Sequence, residues 1–330
     1  MSPTAWRWAR LLGGAAILAA LVWRLGAGPF VAGLRGVDAG ALLAALVLTL
    51  GTTLASAWRW RLVAHGLGVP LTLRTAVASY YRSQFLNTVL PGGVLGDVHR
   101  GVRHGRAVGD TPRGLRAVAW ERSAGQVVQV VLVGLVLTVV PSPVRSWLPA
   151  VVLAAGALVA GAVLRNHGRP SSGALTGPGW WARSRRAVAA DLRGGVLARE
   201  VLPGVVVAST VAVAGHTLAF LVAARAAGVQ ASWPTLLPLA LLVMLAMAVP
   251  ANVAGWGPRE GVAAWAFAAA GLGADAGVAT AVVYGVMVLV AALPGAGVLL
   301  AEWLADSRVH TSGAPAAAGR ADLVDGGLHG

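Results

Sequence analysis

The segment NTVLPGGVLGDVHR, residues 87–100, interrupts an apolar stretch at residues 73–103. A second segment, PANVAGWGPRE at residues 250–260, interrupts the apolar stretch at residues 233–271 in the same way. Proline removes a backbone donor and glycine weakens a helix, so each stretch is predicted to form two short helices joined at a break. Broken backbone at membrane depth is tolerated only where protein buries it or where it lines a cavity. We therefore expect two re-entrant hairpins, each of which enters and leaves the membrane on one side.

The composition around these segments is typical of an all-α integral membrane protein. Of the 330 residues, 57% are hydrophobic and 12% are charged, and the mean hydropathy is +0.73. A soluble domain has about 45–50% apolar and about 25% charged residues. A membrane-spanning helix needs about 20 apolar residues. Six stretches meet this requirement and are predicted to be full spans: residues 11–26, 39–57, 115–140, 147–164, 201–224 and 277–304.

Arginine distribution predicts the orientation in the membrane. The 26 basic residues are all arginine and the net charge is +14. They are concentrated at residues 58–74, 97–116 and 165–200, which the positive-inside rule places in the cytoplasm. We expect a multi-pass protein of the cell (plasma) membrane with both termini cytoplasmic. Residues 165–200 are predicted either to lie on the lipid headgroups or to form a disordered basic loop, and residues 306–330 to form a disordered cytoplasmic tail.

The two broken segments are related to each other by sequence. A shift of 159 residues aligns Pro91, Val94, Gly96 and Arg100 with Pro250, Val253, Gly255 and Arg259. Each half, approximately residues 10–140 and 147–305, then contains two spans, a hairpin and a third span. Because three spans are an odd number, the second half must be inverted relative to the first. Inverted repeats with broken helices are typical of transporters, and we predict one such transmembrane domain over residues 1–305.

The breaks also predict a binding site. Half-helix N-termini attract anions, and Arg100 and Arg259 follow the two breaks. Together they would form an electropositive pocket for an anionic headgroup. An alternative is that the glycines only allow close helix packing while these arginines pair with Asp97 and Glu260.

Polar residues within the spans are interpreted in two ways each. Arg122 lies on one helix face with Gln126 and Gln129, which should point into the bundle. The alternative is that Glu121 and Arg122 form an interfacial pair that anchors the helix end. His216 is either a proton relay or a packing residue.

Several classes of chemistry are excluded by what the sequence lacks. Without cysteine there are no disulfides and no thiolate catalysis, and without lysine there is neither a P-loop nor a Schiff-base nucleophile. The seven histidines show no metal-ligand spacing. The arginines sit in short clusters between apolar stretches rather than on one face, which argues against a nucleic-acid partner. We expect no cofactor, no metal and no catalytic residue.

Three motifs resemble the lysylphosphatidylglycerol synthase transmembrane-domain family: the run 87–100, Glu121-Arg122 with Gly125, and the run 250–260. The resemblance covers roughly residues 10–305. It implies a flippase-like domain, which in the family's namesakes moves aminoacylated phosphatidylglycerol between leaflets, while a separate soluble domain attaches the amino acid. The present chain is expected to lack that synthase domain. The family motifs and the two breaks together predict these lipid-binding residues: Asn87, Pro91, Gly92, Gly96, Asp97, Arg100, Glu121, Arg122, Asn252, Gly255, Arg259 and Glu260.

Three functional hypotheses follow. The first is a translocase that moves an anionic or aminoacylated phospholipid, or a polyprenyl-phosphate-linked lipid, between leaflets, driven by a gradient or running downhill. The second is an accessory or scaffold subunit, with a soluble transferase as a possible partner. The third is a membrane enzyme acting on lipid-linked phosphate, with Asp97, Glu121 or Glu260 as general base.

Overall fold

A computed structural model describes residues 16–17, 19–90, 93–140, 146, 153, 188–248 and 256–312. Helices form its regular elements, as the sequence predicts. A short π-helical turn lies at Leu192–Val196. The α-helices are α1 (Gly28–Arg35), α2 (Ala39–Gly66), α3 (Leu73–Val89), α4 (Leu95–Ala107), α5 (Thr111–Val139), α6 (Leu202–Ala226), α7 (Trp233–Ala246), α8 (Pro258–Ala269) and α9 (Ala274–Ser312).

Four helices in the described ranges are long and apolar enough to cross a membrane: α2, α5, α6 and Ala274–Ala305 of α9. They correspond to the second, third, fifth and sixth predicted spans, and they confirm an all-helical membrane protein. Of the first predicted span, residues 16–17 and 19–25 are described as helix, and of the fourth only residue 153 is described. Helix α9 continues to Ser312, within the predicted tail, while residues 313–330 lie outside the described part.

Both predicted breaks separate two helices. In the first segment, α3 ends at Val89 and α4 begins at Leu95, and Gly93 between them has a positive φ of 59°. In the second segment, α7 ends at Ala246 and α8 begins after Gly257, whose φ of 126° is rarely adopted by residues with a side chain. Residues 91–92 and 249–255 lie outside the description. The re-entrant path and the inverted orientation stay predictions.

Helix packing follows the same plan in both halves. Helices α2 and α6 pack against each other, and each also contacts the first helix of the following hairpin, α3 or α7. The second hairpin helix packs on the next span, α4 on α5 and α8 on α9. The two halves also contact each other, because α3 packs on α9 and α7 packs on α5. Among the described helices, α2–α5 of the first half thus have the same pattern of neighbours as α6–α9 of the second.

Glycines allow the hairpin helices to approach their neighbours closely. On α4, Gly101 and Gly105 face Gly114 of α5, where a Cβ would lie 2.6 Å from the Gly105 Cα. In the second half, Gly277 of α9 packs directly on the backbone of Ala263 in α8. Small residues at such contacts let membrane helices pack backbone to backbone. The close packing expected in the alternative interpretation of the glycines is therefore present.

Large apolar side chains remain exposed on the outer faces of the long helices. On α5 they recur every fourth residue, which places them on one stripe: Val127, Val131, Leu135 and Val139. A contiguous apolar surface of this kind is rare on soluble proteins and suits contact with lipid tails. The polar groups described next lie on the opposite, inner side of the bundle.

Candidate functional site

Five charged side chains from three helices meet inside the bundle, and we call them the first charge cluster. Arg59 comes from α2, Asp97 and Arg100 come from α4, and Glu121 and Arg122 come from α5. Ion pairs connect all five members. Three arginines and two carboxylates leave one positive charge in excess.

Glu121 is at the centre of this cluster and has no exposed surface. Its Oε1 accepts hydrogen bonds from Arg59 Nε at 2.9 Å and from the Tyr80 hydroxyl at 2.6 Å. Its Oε2 accepts one from Arg100 Nη2 at 3.0 Å. Arg59 also donates to Ser209 Oγ on α6 at 3.0 Å, so this arginine links Glu121 to a helix of the second half.

Asp97 joins the two helices of the first hairpin. It lies in the first turn of α4 and accepts hydrogen bonds from Ser83 Oγ at 3.0 Å and Asn87 Nδ2 at 3.1 Å, both on α3. The Asn87 amide oxygen in turn accepts the Gly96 N–H at 2.8 Å. Asp97 also pairs with Arg122 on α5 at 2.7 Å. The first turn of α4 is therefore fixed to the end of α3 by side-chain hydrogen bonds.

Arg100 is held between two aromatic rings. Its guanidinium carbon lies 4.4 Å from the centroid of the Trp60 ring and 4.1 Å from that of the Tyr80 ring. Stacking of this kind suits the planar guanidinium and stabilises the charge away from water. Its Nε and Nη1 atoms are buried and have no hydrogen-bond partner in the part of the chain that the structure describes.

His104, in the last turn of α4, packs against the same aromatic group. Its ring packs edge-on against Trp60, with the centroids 5.4 Å apart. Burial and the nearby charge of Arg100 lower the pKa of His104 below its usual value. The imidazole is therefore neutral at pH 7 and adds no further positive charge beside Arg100.

Arg122 differs from the other two arginines of the cluster because 41% of its side chain is accessible. It pairs with Asp97, and its Nε atom has no hydrogen-bond partner among the described residues. Gln126, one turn further along α5, is only half-buried. Arg122 is thus the cluster member that a ligand could reach without displacing an internal ion pair.

A second charged site follows the other break, and we call Arg259 and Glu260 the second charge pair. Arg259 Nε and Nη2 donate to Glu260 Oε1 at 2.8 and 2.6 Å. Glu260 Oε2 accepts the Gly257 N–H at 2.6 Å and thereby caps α8. The Arg259 guanidinium also packs directly against Gly285 of α9, where a Cβ would force the guanidinium to shift.

A third ionic contact binds the first hairpin to the last span. Arg82 of α3 and Arg103 of α4 both pair with Glu302 of α9, and Arg82 Nη1 lies 2.6 Å from the Glu302 carboxylate. Arg82 is almost fully buried, whereas Arg103 is exposed. This contact was not expected from the sequence, because Glu302 lies near the end of a long apolar helix.

The predicted site residues fall into three groups. Six meet in or beside the first charge cluster: Asn87, Gly96, Asp97, Arg100, Glu121 and Arg122. Two form the second charge pair, and four lie outside the described residues: Pro91, Gly92, Asn252 and Gly255. The ion pairs of Arg100 with Asp97 and of Arg259 with Glu260, expected in the alternative interpretation, are both present. One shared pocket for the two arginines stays a prediction.

Sequence reasoning missed Arg59, Trp60 and Tyr80. Arg59 was counted as a charge in a cytoplasmic connection, but α2 continues to Gly66 and carries it inside the bundle. A signal was available: Thr52 and Ser56 precede Arg59 on one helix face, and extending that polar stripe by one turn reaches Arg59. The alternative of an interfacial Glu121–Arg122 pair is wrong, because the two residues have separate partners, Arg59 and Arg100 for Glu121 and Asp97 for Arg122.

The described residues contain no group of three or more His, Cys, Asp or Glu side chains that could hold a metal ion. A protein-family model described as "Lysylphosphatidylglycerol synthase TM region" matches residues 7–295. Neither the curated proteins nor the solved structures contain a match to the chain.

Proposed function

This chain belongs to the lysylphosphatidylglycerol synthase TM region family, and on that premise we propose that it is a lipid translocase. It would move an anionic or aminoacylated phospholipid, or a polyprenyl-phosphate-linked lipid, between the two leaflets of the cell membrane. Family membership and the apolar helices support a membrane protein with a lipid-related role. The more specific proposal, that this role is lipid translocation, depends on the first charge cluster.

The observation that carries the proposal is the state of Arg122. It lies in a candidate span, belongs to a cluster with one excess positive charge, and keeps 41% of its side chain accessible. An ionised side chain within a span is costly and is usually retained for function. An anionic headgroup at Arg122 would neutralise the excess charge, whereas a purely structural cluster gains nothing from leaving it unbalanced.

The surrounding residues define what the site would do to a headgroup. Arg122 would donate hydrogen bonds to a phosphate oxygen while Asp97 holds its guanidinium in place. The N-terminus of α4, with Gly96 and Asp97 in its first turn, would add a partial positive charge. The protein would thus replace the water that a phosphate loses on leaving the membrane surface. The acyl chains would stay against the exposed apolar faces of the spans.

The second charge pair would serve the headgroup on the other side of the membrane. It follows the second break as Arg100 follows the first, and its helices have the equivalent neighbours in the other half. In an inverted repeat, this arrangement would expose one arginine-bearing break to each leaflet. Movement would be driven by a gradient or would run downhill.

The test is leaflet exchange in vesicles. The protein is reconstituted into phosphatidylcholine vesicles that contain a trace of fluorescent phosphatidylglycerol, and dithionite bleaches the label in the outer leaflet. Wild-type protein should let bleaching proceed beyond the outer-leaflet fraction. Arg122→Gln should slow this exchange about tenfold or more, since a hydrogen bond to a charged group contributes about 1.5–3 kcal/mol.

The matched control is Arg113→Gln on the same helix, because Arg113 is exposed and pairs with Asp110 one turn away. It should exchange lipid at the wild-type rate. Wild-type vesicles that bleach no further than protein-free vesicles would refute the translocase proposal. If the Arg122 and Arg113 variants exchange lipid at equal rates, Arg122 has no part in the translocation.

A further inference from the structure

His216 and Tyr284 form a polar contact between the two charged sites. Ser209 of α6 accepts a hydrogen bond from Arg59 of the first charge cluster. His216 lies seven residues further along α6, on the same helix face and about 10 Å away along the axis. This places His216 near the middle of a candidate span.

Tyr284 of α9 continues the path from His216. Its hydroxyl lies 3.3 Å from His216 Nδ1, at hydrogen-bond distance. Its ring lies 5.6 Å from the guanidinium carbon of Arg259, and its neighbour Gly285 packs against the same guanidinium. On the other side, Ser209 on the same face of α6 accepts the hydrogen bond from Arg59, about 10 Å from His216 along the helix axis. Polar groups thus follow one another from the first charge cluster to the second charge pair.

Packing alone does not explain these two polar groups. Tyr284 is fully buried and lies among apolar side chains, with Phe220 5.6 Å away between ring centroids. Phenylalanine would fill the same space without a hydroxyl to satisfy, and polar groups in a span are costly. His216 is only half-buried, so part of its ring surface remains open. The pair combines a buried donor with an accessible one, beside Arg259 and about two helical turns from Ser209.

We propose that His216 and Tyr284 form an intermediate contact for the lipid phosphate as it passes between Arg122 and Arg259. This inference rests on the proposed translocase function and adds two residues to its path. The Tyr284 hydroxyl and a ring N–H of His216 would donate hydrogen bonds to phosphate oxygens. The two residues would lower the barrier between the two arginine sites and would contribute little to binding at either one.

The test separates transfer from binding. Tyr284→Phe and His216→Gln are compared with wild type for leaflet exchange of fluorescent phosphatidylglycerol and for the amount of phosphatidylglycerol retained after gentle purification. Each variant should slow exchange about tenfold, as expected for one lost hydrogen bond to a charged group, while it retains as much phosphatidylglycerol as wild type. Arg122→Gln should lose retained lipid as well as exchange.

Two nearby threonines supply matched controls. Thr280 lies one turn from Tyr284 and Thr217 follows His216, and the hydroxyl of each donates to a carbonyl of its own helix. Thr280→Val and Thr217→Val should exchange lipid at the wild-type rate. If Tyr284→Phe does not purify as a folded protein, His216→Gln decides.

The outcomes distinguish this inference from the function on which it rests. If wild-type protein exchanges lipid and the Tyr284 and His216 variants match the threonine variants, the intermediate contact is overturned and the translocase proposal stands. If both variants lose retained lipid in step with exchange, the two residues belong to a binding site and the intermediate role is overturned. If wild-type protein exchanges no lipid, both proposals fail.

Discussion

Glu121 neutralises two buried arginines and also accepts the Tyr80 hydroxyl. Removal of one partner from a buried ion pair leaves an uncompensated charge and costs about 3–5 kcal/mol. Glu121→Gln would leave two excess positive charges in the cluster instead of one. We expect this variant to have a Tm in detergent several degrees below that of wild type.

Glu200→Gln is the control for this measurement, because Glu200 is exposed. It should unfold at the wild-type temperature. If the two variants have the same Tm, the ion pairs around Glu121 do not stabilise the fold.

Some members of the first charge cluster could be predicted from the sequence, and others could not. Asp97, Arg100, Glu121 and Arg122 were found because charges beside a break or inside an apolar run are conspicuous. Their partners were not found, because a partner depends on which helices meet, and a single sequence does not specify that. Glu121 pairs with Arg59 from 62 residues away rather than with its neighbour Arg122.

At the scale of the helix, α5 contains two glycines with opposite surroundings. A Cβ at Gly125 would lie 2.8 Å from Arg59 Nη1, whereas Gly134 has open space. Gly125→Ala should displace Arg59 from Glu121 and lower the free energy of unfolding by about 1–3 kcal/mol. Gly134→Ala should leave it unchanged or raise it by up to about 1 kcal/mol, because alanine favours the helix.

Urea unfolding of the two variants in detergent, followed by tryptophan fluorescence, measures the difference. The two substitutions add the same methyl group to the same helix, so helix propensity cancels in the comparison. Equal stability would mean that Arg59 can move away from Glu121 without cost.

Helix positions were well predicted, and helix ends were not. The division of each broken stretch into two helices follows from proline and glycine chemistry, which is local. In contrast, α2 was predicted to end at residue 57 and extends to Gly66, and α5 begins at Thr111 rather than at residue 115. Hydropathy detects only the lipid-facing part of a helix, whereas the backbone continues into water wherever capping and packing allow it.

At the scale of the whole molecule, the inverted repeat predicts the side of the membrane to which each hairpin opens. The first hairpin should open to the cytoplasm and the second to the outside. Because the chain has no cysteine, single cysteines can be introduced without background. Arg106→Cys, at the end of α4, should react with a membrane-impermeant maleimide only after permeabilisation, and Ser232→Cys, before α7, should react in intact cells.

Both positions are exposed, so access to the reagent depends on the side of the membrane. Labelling of both cysteines from the same side would exclude the inverted arrangement. It would also leave the two arginine sites open to one leaflet, which a translocase cannot use.

The glycine contacts between α4 and α5, and between α8 and α9, limit the ways in which this molecule can change shape. Backbones that touch without intervening side chains cannot slide past each other, so each pair should move as one rigid body. Gly96 against the Ser83 backbone and Gly295 against the Tyr81 backbone join α3 to α4 and α9 in the same way, so α3, α4, α5, α8 and α9 form one unit and the contact of α7 with α5 is left to shear. Alternating access would then move α2, α6 and α7 against this unit, and the Glu302 ion pairs within it would stay closed.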